Sequence, residues 1–200
     1  MKIRFFLILT VVLLVISWGC TKQETSASEI DHAMQFYEEF LGGKRNAKIR
    51  YEDSSFGDAE FFEQWSRYAF YDMNGDNTPE LLARGQGQYS IFTCIDEELI
   101  IWASPGIYAE ALNNGAFLSA RNNLFEMQYW YVEYNFYGNE KLRVEFGKAE
   151  PNDKGDYDEN SAYYFEDKQV SMEEWNALTE KYLSIELASI EWSPYQDYKG

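Results

Sequence analysis

The chain has a single histidine, His32, among its 200 residues. A histidine-dependent catalytic triad or a zinc site would have to be built on that one imidazole, and its place on a predicted helix is typical of a solvent-facing residue. The Gly-x-Ser-x-Gly, Walker and dinucleotide-binding motifs are absent as well. These absences argue against nucleotide chemistry and histidine-assisted hydrolysis, so we expect a protein that is not an enzyme.

Basic residues are scarce. Lys and Arg number 17 against 34 Asp and Glu, which gives a net charge of −17 and an isoelectric point near 4.4. A polyanion of this kind is repelled by nucleic acid backbones and by anionic lipid head groups. We therefore expect no nucleic acid partner, while plain solubility is the simplest reason for the acidity.

Long apolar runs are missing except near the start of the chain. There, Lys2 and Arg4 precede an apolar run from Phe5 to Ile16, which is 12 residues long and has Thr10 as its one polar residue. Spanning a bilayer takes about 20 residues. The run therefore predicts a cleaved export signal over residues 1–19 rather than a permanent membrane helix.

Cysteine usage is equally sparse, and Cys20 directly follows Gly19 at the end of the signal. This arrangement resembles the bacterial lipobox, although the third position before the cysteine is Ser17 where Leu is usual. The resemblance implies that Cys20 becomes an N-terminus that carries acyl chains such as palmitate. Ser17 and Gly19 are also small enough for ordinary signal peptidase, so simple secretion is the alternative.

With Cys20 acylated, Cys94 has no partner for an internal disulfide. Cys94 lies in an apolar strand pattern, which predicts an inert thiol. An unmodified Cys20 would make a Cys20–Cys94 bridge conceivable. The polar residues 20–28 are expected to form a tether, and residues 29–200 to form one domain. Without the signal, residues 20–200 carry 15 basic and 34 acidic residues, a net charge of −19.

Aromatic residues are abundant, with 16 Tyr, 14 Phe and 6 Trp. Many alternate with other residues, as in 126–137, which favours pleated sheet; packing in a core is the first explanation, and a sugar- or peptide-binding platform is the second. Strands are predicted at 68–71, 80–84, 89–95, 99–103, 107–112, 115–120, 126–137, 140–147 and 161–166.

Helices are predicted at both ends of the domain. The first begins at Ser28 as its cap and runs to Leu41, where glycines follow. The second opens with a capping box in which Ser171 is the cap and Glu174 lies three residues later. Residues 44–60 have no strong period, and Pro194 is expected to end regular structure. The predicted fold class is thus α+β, an antiparallel β meander with an N-terminal helix and a capped C-terminal helix.

The most specific motif is an acidic loop between two predicted strands. Asp72, Asn74, Asp76 and Glu80 place side-chain oxygens at loop positions 1, 3, 5 and 9, and Thr78 can contribute its carbonyl at position 7. Calcium takes six to eight oxygens at roughly 2.3–2.6 Å, and alternate residues of a turning backbone converge in this way. The spacing therefore predicts a structural calcium site.

The loop departs from the EF-hand pattern at two positions. Position 12 is Ala83 instead of a bidentate Glu, and position 6 is Asn77 instead of Gly, although Asn tolerates left-handed backbone well. Strands rather than helices flank the loop, so it is more similar to the calcium hairpin loops of integrin-type extracellular proteins. A metal-free Asx-rich turn is the alternative. A second acidic segment, 152–159, lacks regular ligand spacing and is expected to be a solvated loop.

Three stretches together resemble a group of uncharacterised secreted proteins and lipoproteins of Gram-positive bacteria. The stretches are 36–43, 69–82 and 163–178. This resemblance supports export and the fold outline but supplies no activity. We expect a non-enzymatic lipoprotein on the outer face of the bacterial cell membrane that binds an envelope or extracellular ligand. The alternative is a carbohydrate-active enzyme or sugar-binding module that uses exposed aromatics and carboxylates.

Overall fold

Two β-sheets pack face to face, and one helix covers the outer side of each. The computed structural model describes residues 27–51, 55–59, 65–85, 89–106 and 108–198. The predicted signal and Cys20 lie outside these residues. None of the helices in the described ranges is long and apolar enough to cross a membrane.

The helices are α1, Ala27–Leu41, and α2, Met172–Leu183, and a short 3₁₀ helix spans Tyr195–Tyr198. The strands are β1 (Lys48–Arg50), β2 (Phe56–Asp58), β3 (Trp65–Tyr71), β4 (Glu80–Gly85), β5 (Tyr89–Ile95), β6 (Glu98–Ala103), β7 (Ala109–Ala111), β8 (Phe117–Asn122), β9 (Glu126–Tyr134), β10 (Glu140–Ala149), β11 (Ala162–Phe165), β12 (Lys168–Val170) and β13 (Ser193–Pro194).

Sheet 1 has the strand order β13-β3-β4-β5-β6-β1-β2, and sheet 2 has the order β12-β11-β10-β9-β8-β7. Neighbouring strands are antiparallel except β1 and β6, which run parallel with Lys48 opposite Ile100. Sheet 2 follows chain order throughout, as does the β3-to-β6 part of sheet 1. The chain is therefore mostly antiparallel β-sheet with two helices, in agreement with the predicted α+β meander.

Helix α1 covers the outer face of sheet 1. Its buried residues include Ala33, Tyr37 and Leu41 on one stripe, and they pack on Leu81 and Phe92 of the sheet. The helix ends where Gly43 adopts a φ of +69°, a left-handed conformation that suits glycine. Burial of this apolar stripe supplies most of the stability of the helix.

The inner faces of the two sheets form the central core. Leu82, Ile91 and Trp102 of sheet 1 pack with Phe117 of sheet 2, and the loop residue Met73 is buried among them. Met73 is 4% exposed although it follows the first residue of the acidic loop. The loop is therefore anchored between the sheets.

Helix α2 covers the outer face of sheet 2. Trp175 and Tyr182 pack on Tyr131, Phe146 and other rings of the sheet. The Ser171 hydroxyl accepts a hydrogen bond from the Glu174 amide at 3.1 Å, which satisfies one free amide at the helix start.

Several boundaries differ from the sequence-based expectation. Helix α1 begins at Ala27, so Ser28 lies within it instead of capping it, and the last two residues of the predicted tether belong to the helix. Residues 20–26 of that tether lie outside the described residues. The aperiodic stretch 44–60 contains β1 and β2, whose pairing depends on distant β6. Pro194 does not end regular structure: it lies in β13 and pairs with Arg67 of β3. Proline is tolerated there because β13 is an edge strand, in which an amide that faces away from the sheet needs no partner strand.

Candidate functional site

The acidic loop connects β3 to β4 at one end of sheet 1. Strand β3 ends at Tyr71 and β4 begins at Glu80, so the predicted ligands lie in and just after a hairpin connection. Asn77 has a φ of +71°, the left-handed conformation that was predicted at position 6. This conformation is shared by a cation-binding loop and by a metal-free Asx-rich turn.

Asp72 organises the loop through its carboxylate. One carboxylate oxygen accepts hydrogen bonds from the amides of Gly75 and Asp76 at 2.7 and 3.2 Å, and the other accepts from the Asn77 amide at 2.9 Å. Asp76 in turn accepts from the Thr78 amide at 2.7 Å. These bonds curl the backbone so that successive side chains point inward.

Glu80, at the end of the loop, hydrogen-bonds back to residues near its start. Its Oε2 accepts a hydrogen bond from the buried Met73 amide at 2.7 Å, and its Oε1 accepts from the Asn74 Nδ2 at 2.9 Å. The same Asn74 Nδ2 lies 3.0 Å from Asp76 Oδ2. Oxygens of two carboxylates therefore converge on one atom at the centre of the loop.

The carboxylate of Glu80 is 1% exposed. Burial, together with the nearby charges of Asp76 and Asp72, raises its pKa to about 8, against a lowering effect from the Met73 amide. Among the described residues, no lysine or arginine forms an ion pair with Glu80. A deeply buried acid in an acidic loop is a costly arrangement unless a proton or a cation compensates it.

These residues fit a hard cation in part. Carboxylate oxygens of Asp76 and Glu80 both contact the Asn74 side-chain nitrogen. For a cation to bind between them, the Asn74 amide would have to rotate so that its oxygen faces the cation. In the described ranges no group of three or more His, Cys, Asp or Glu is arranged to hold a metal ion. The loop offers instead the carboxylates of Asp72, Asp76 and Glu80, the side-chain amide of Asn74 and the backbone carbonyl of Thr78. Oxygen ligands of these kinds suit calcium.

The other reactive residues are isolated. His32 is exposed, and its ring contacts Phe36 at a centroid distance of 4.4 Å. Cys94 is half-buried in β5 rather than fully buried, and burial raises the pKa of its thiol to about 11, which disfavours the thiolate. The segment 152–159 is mostly exposed, and the side-chain Oδ1 of Asn152 accepts from the amides of Lys154 and Asp156.

A second candidate site is a groove in sheet 2, on the face opposite to α2. We call it the sheet-2 groove and define it by Glu126, Gln128, Trp130, Glu145, Gly147 and Tyr164. Its volume is about 340 Å³. Trp130 is half-buried, and Tyr164 is 38% exposed. The alternating aromatics of 126–137 indicated sheet, but the groove depends on which residues neighbouring strands bring opposite them.

Comparison of the chain with protein-family models, with curated proteins and with solved structures gives no match.

Proposed function

We propose that the protein is a non-enzymatic lipoprotein of the bacterial cell surface. In this account Cys20 carries the lipid anchor, residues after it form a tether, and an α+β meander bracketed by an N-terminal helix and a capped C-terminal helix presents a surface for an envelope or extracellular ligand. A calcium ion at the 72–80 loop stabilises that domain. The account accommodates the export signal, the acidic loop and the isolation of His32 and Cys94.

The observation that carries the calcium proposal is the buried carboxylate of Glu80 within an acidic loop. Calcium outside the cell would neutralise Glu80 and Asp76 together, and it would be held by Asp72, Asn74, Asp76, the Thr78 carbonyl and Glu80. Five protein oxygens plus water complete a shell of the usual size, with an affinity of about 10⁻⁴–10⁻³ M that is typical of extracellular modules.

Calorimetric titration of the domain with calcium tests this proposal. We expect one ion per chain in the wild type and no binding in Asp76→Ala, because that change removes an oxygen at the convergence point. Asp156→Ala is the matched control, since Asp156 lies in the exposed acidic segment 152–159. Equal heats in Asp76→Ala and the wild type would show that calcium binds elsewhere.

The anchor has its own test. Mass spectrometry of the protein from a membrane fraction should find an acylated N-terminal cysteine at position 20, and Cys20→Ser should release the protein into the medium. An unmodified Cys20 in membrane-purified protein would contradict the lipid anchor and favour plain secretion.

The sheet-2 groove favours a second candidate, a sugar-binding module. Trp130 and Tyr164 offer partly open rings, and Glu126 and Glu145 offer carboxylates that can accept hydroxyl hydrogen bonds. Binding of soluble glycans or peptidoglycan fragments that is lost in Trp130→Ala would support this reading. Glycan binding that survives this substitution would place the sugar elsewhere.

A further inference from the structure

The floor of the sheet-2 groove is Gly147 on β10. Gly147 lies opposite Gln128 of β9 on one side and opposite Tyr164 of β11 on the other. Neighbouring strands are about 4.8 Å apart, so the two flanking positions are separated by roughly 10 Å. Gly147 puts no side chain of its own between them, although the Gln128 side chain leans toward it, with Cγ 3.7 Å from where a Cβ of residue 147 would lie. A space of this width and a volume of about 340 Å³ suit one small molecule better than a folded partner.

The walls of the groove carry two aromatic side chains. Trp130 lies two residues beyond Gln128 and is opposite Glu145, so alternation along the strands places Trp130, Glu145 and Gly147 on one face. Tyr164 occupies the far side of the glycine. A small ligand on Gly147 would thus lie between an indole and a phenol ring.

The charge of the groove is negative. Glu126, Glu145 and Asp167 contribute to its lining, and no lysine or arginine of the described residues does. Two arginines lie at its edges: Arg121 of β8 is opposite Gln128, and Arg143 forms a long ion pair with Glu145, with 3.7 Å between Nη1 and Oε1, while its Nε donates to Glu140 at 2.9 Å. Another carboxylate, that of Glu166, accepts from the Glu145 amide at 3.2 Å.

We propose that the sheet-2 groove binds a small organic ammonium ion. The faces of Trp130 and Tyr164 attract a cation through their ring electrons and cover its methyl or methylene groups, while Glu145 and Glu126 supply opposite charge. A neutral sugar could stack on the rings and hydrogen-bond to the carboxylates, but only a cation is attracted by their negative charge. The inference rests on the proposed function only in taking this groove as the ligand-binding surface.

The test compares two molecules of the same shape. Choline carries a trimethylammonium group, and 3,3-dimethylbutan-1-ol replaces its nitrogen with carbon and has no charge. We expect choline to shift the NMR signals of Trp130 and Gly147 in a saturable way, and its neutral counterpart to bind at least about tenfold more weakly. Added sodium chloride should weaken choline binding because the attraction is between charges.

Substitutions locate the site. Glu145→Gln, at an exposed position, should lower choline affinity several-fold without affecting folding, and Trp130→Ala should lower it by about tenfold. Phe136→Ala and Glu173→Gln are the matched controls, because they alter an exposed ring and an exposed carboxylate outside the groove. Both controls should bind choline as the wild type does.

Equal affinity for choline and its neutral counterpart would overturn the proposal, as would the absence of saturable choline binding. A neutral monosaccharide that displaces choline and binds more tightly would also overturn it, in favour of the sugar-binding reading. The calcium titration at the 72–80 loop is independent of these outcomes. If choline does not bind but calcium does, the result would reject the organic ammonium site in the sheet-2 groove and leave the calcium proposal intact.

Discussion

Glu80 is an almost fully buried acidic residue that forms no ion pair with a basic side chain of the described residues. Its position in the loop was predicted from spacing alone, and so was the left-handed backbone of Asn77. Its burial could not be predicted, because it depends on Tyr37 of α1 and on neighbouring strands that the local sequence does not contain. Tyr37 is itself fully buried, and its pKa is raised by burial and by the charge of Glu80.

The raised pKa of Glu80 gives the metal-free protein a characteristic pH dependence. In the unfolded chain this carboxyl has the ordinary glutamate pKa of about 4.5, whereas in the folded chain its pKa is raised to about 8. Between these values the folded state binds the extra proton, so raising the pH destabilises it. We expect a contribution of roughly 3–5 kcal/mol to be lost across this window in the presence of a chelator.

Glu80→Gln isolates that contribution. The variant has no proton to lose, so its chelated form should be more stable than the wild type at pH 8 and should lack the wild type's decline from pH 5 to 8. Chemical denaturation at several pH values measures both curves. An identical pH dependence in the two proteins would show that Glu80 ionises normally in the folded state.

At the scale of elements, the loop is tied to sheet 2 by a close backbone contact. Gly115, in the turn between β7 and β8, has a φ of +81°, and a Cβ there would collide with the carbonyl oxygen of Met73. Met73 is thus confined both by its buried side chain and by this turn. The sequence predicted a strand over 115–120, so it did not place Gly115 in a turn and could not show which loop lies against it.

Gly115→Ala should therefore destabilise the domain and weaken calcium binding together. Left-handed backbone costs alanine about 1 kcal/mol, and the collision adds at least about 2 kcal/mol more. Gly155→Ala is the matched control, because Gly155 has a φ of +84° and open space around its Cα. Urea denaturation should separate the two variants clearly. Equal costs would show that the turn moves freely away from Met73.

The elements that were predicted depend on local sequence, and those that were missed depend on pairing with distant parts of the chain. Strands β5 and β6 were predicted because each is a local apolar run, although the turn between them holds both Asp96 and Glu97 at positive φ, which is unusual for glutamate. Strand β1 was missed because it is short and joins β6 in parallel after about fifty residues of intervening chain. The prediction that Pro194 ends regular structure was wrong because proline usually interrupts a strand, whereas here it lies in a strand at the sheet edge, where it is tolerated.

At the scale of the molecule, Arg84 links the two sheets. Its side chain is 10% exposed; it donates to the Ala109 carbonyl of β7 and lies 3.3 Å from the Glu110 carboxylate. The guanidinium also stacks over Tyr89 at 4.2 Å. Planar donors and a stacked ring are properties that lysine does not share.

Arg84→Ala should cost about 2–4 kcal/mol of unfolding free energy, because a buried carbonyl loses its donor and the ring loses its cover. Arg84→Lys should recover less than half of the loss. Arg67→Ala is the control: Arg67 is exposed and its guanidinium lies 4.8 Å from the centroid of the Trp192 ring, so its loss should cost under about 1 kcal/mol. Full recovery by lysine would contradict a role for the planar guanidinium.

Melting temperature against calcium concentration tests the central claim most directly. At about 10 mM calcium the wild type should melt roughly 3–8 °C higher than in chelator, since a ligand that binds only the folded state stabilises it by mass action. Magnesium should have a smaller effect, because it demands a stricter octahedral shell. Asp76→Asn should show no rise, whereas Asp156→Asn should rise as the wild type does. An unchanged wild-type melting temperature, or the same rise in Asp76→Asn, would contradict the account and leave the loop a metal-free turn.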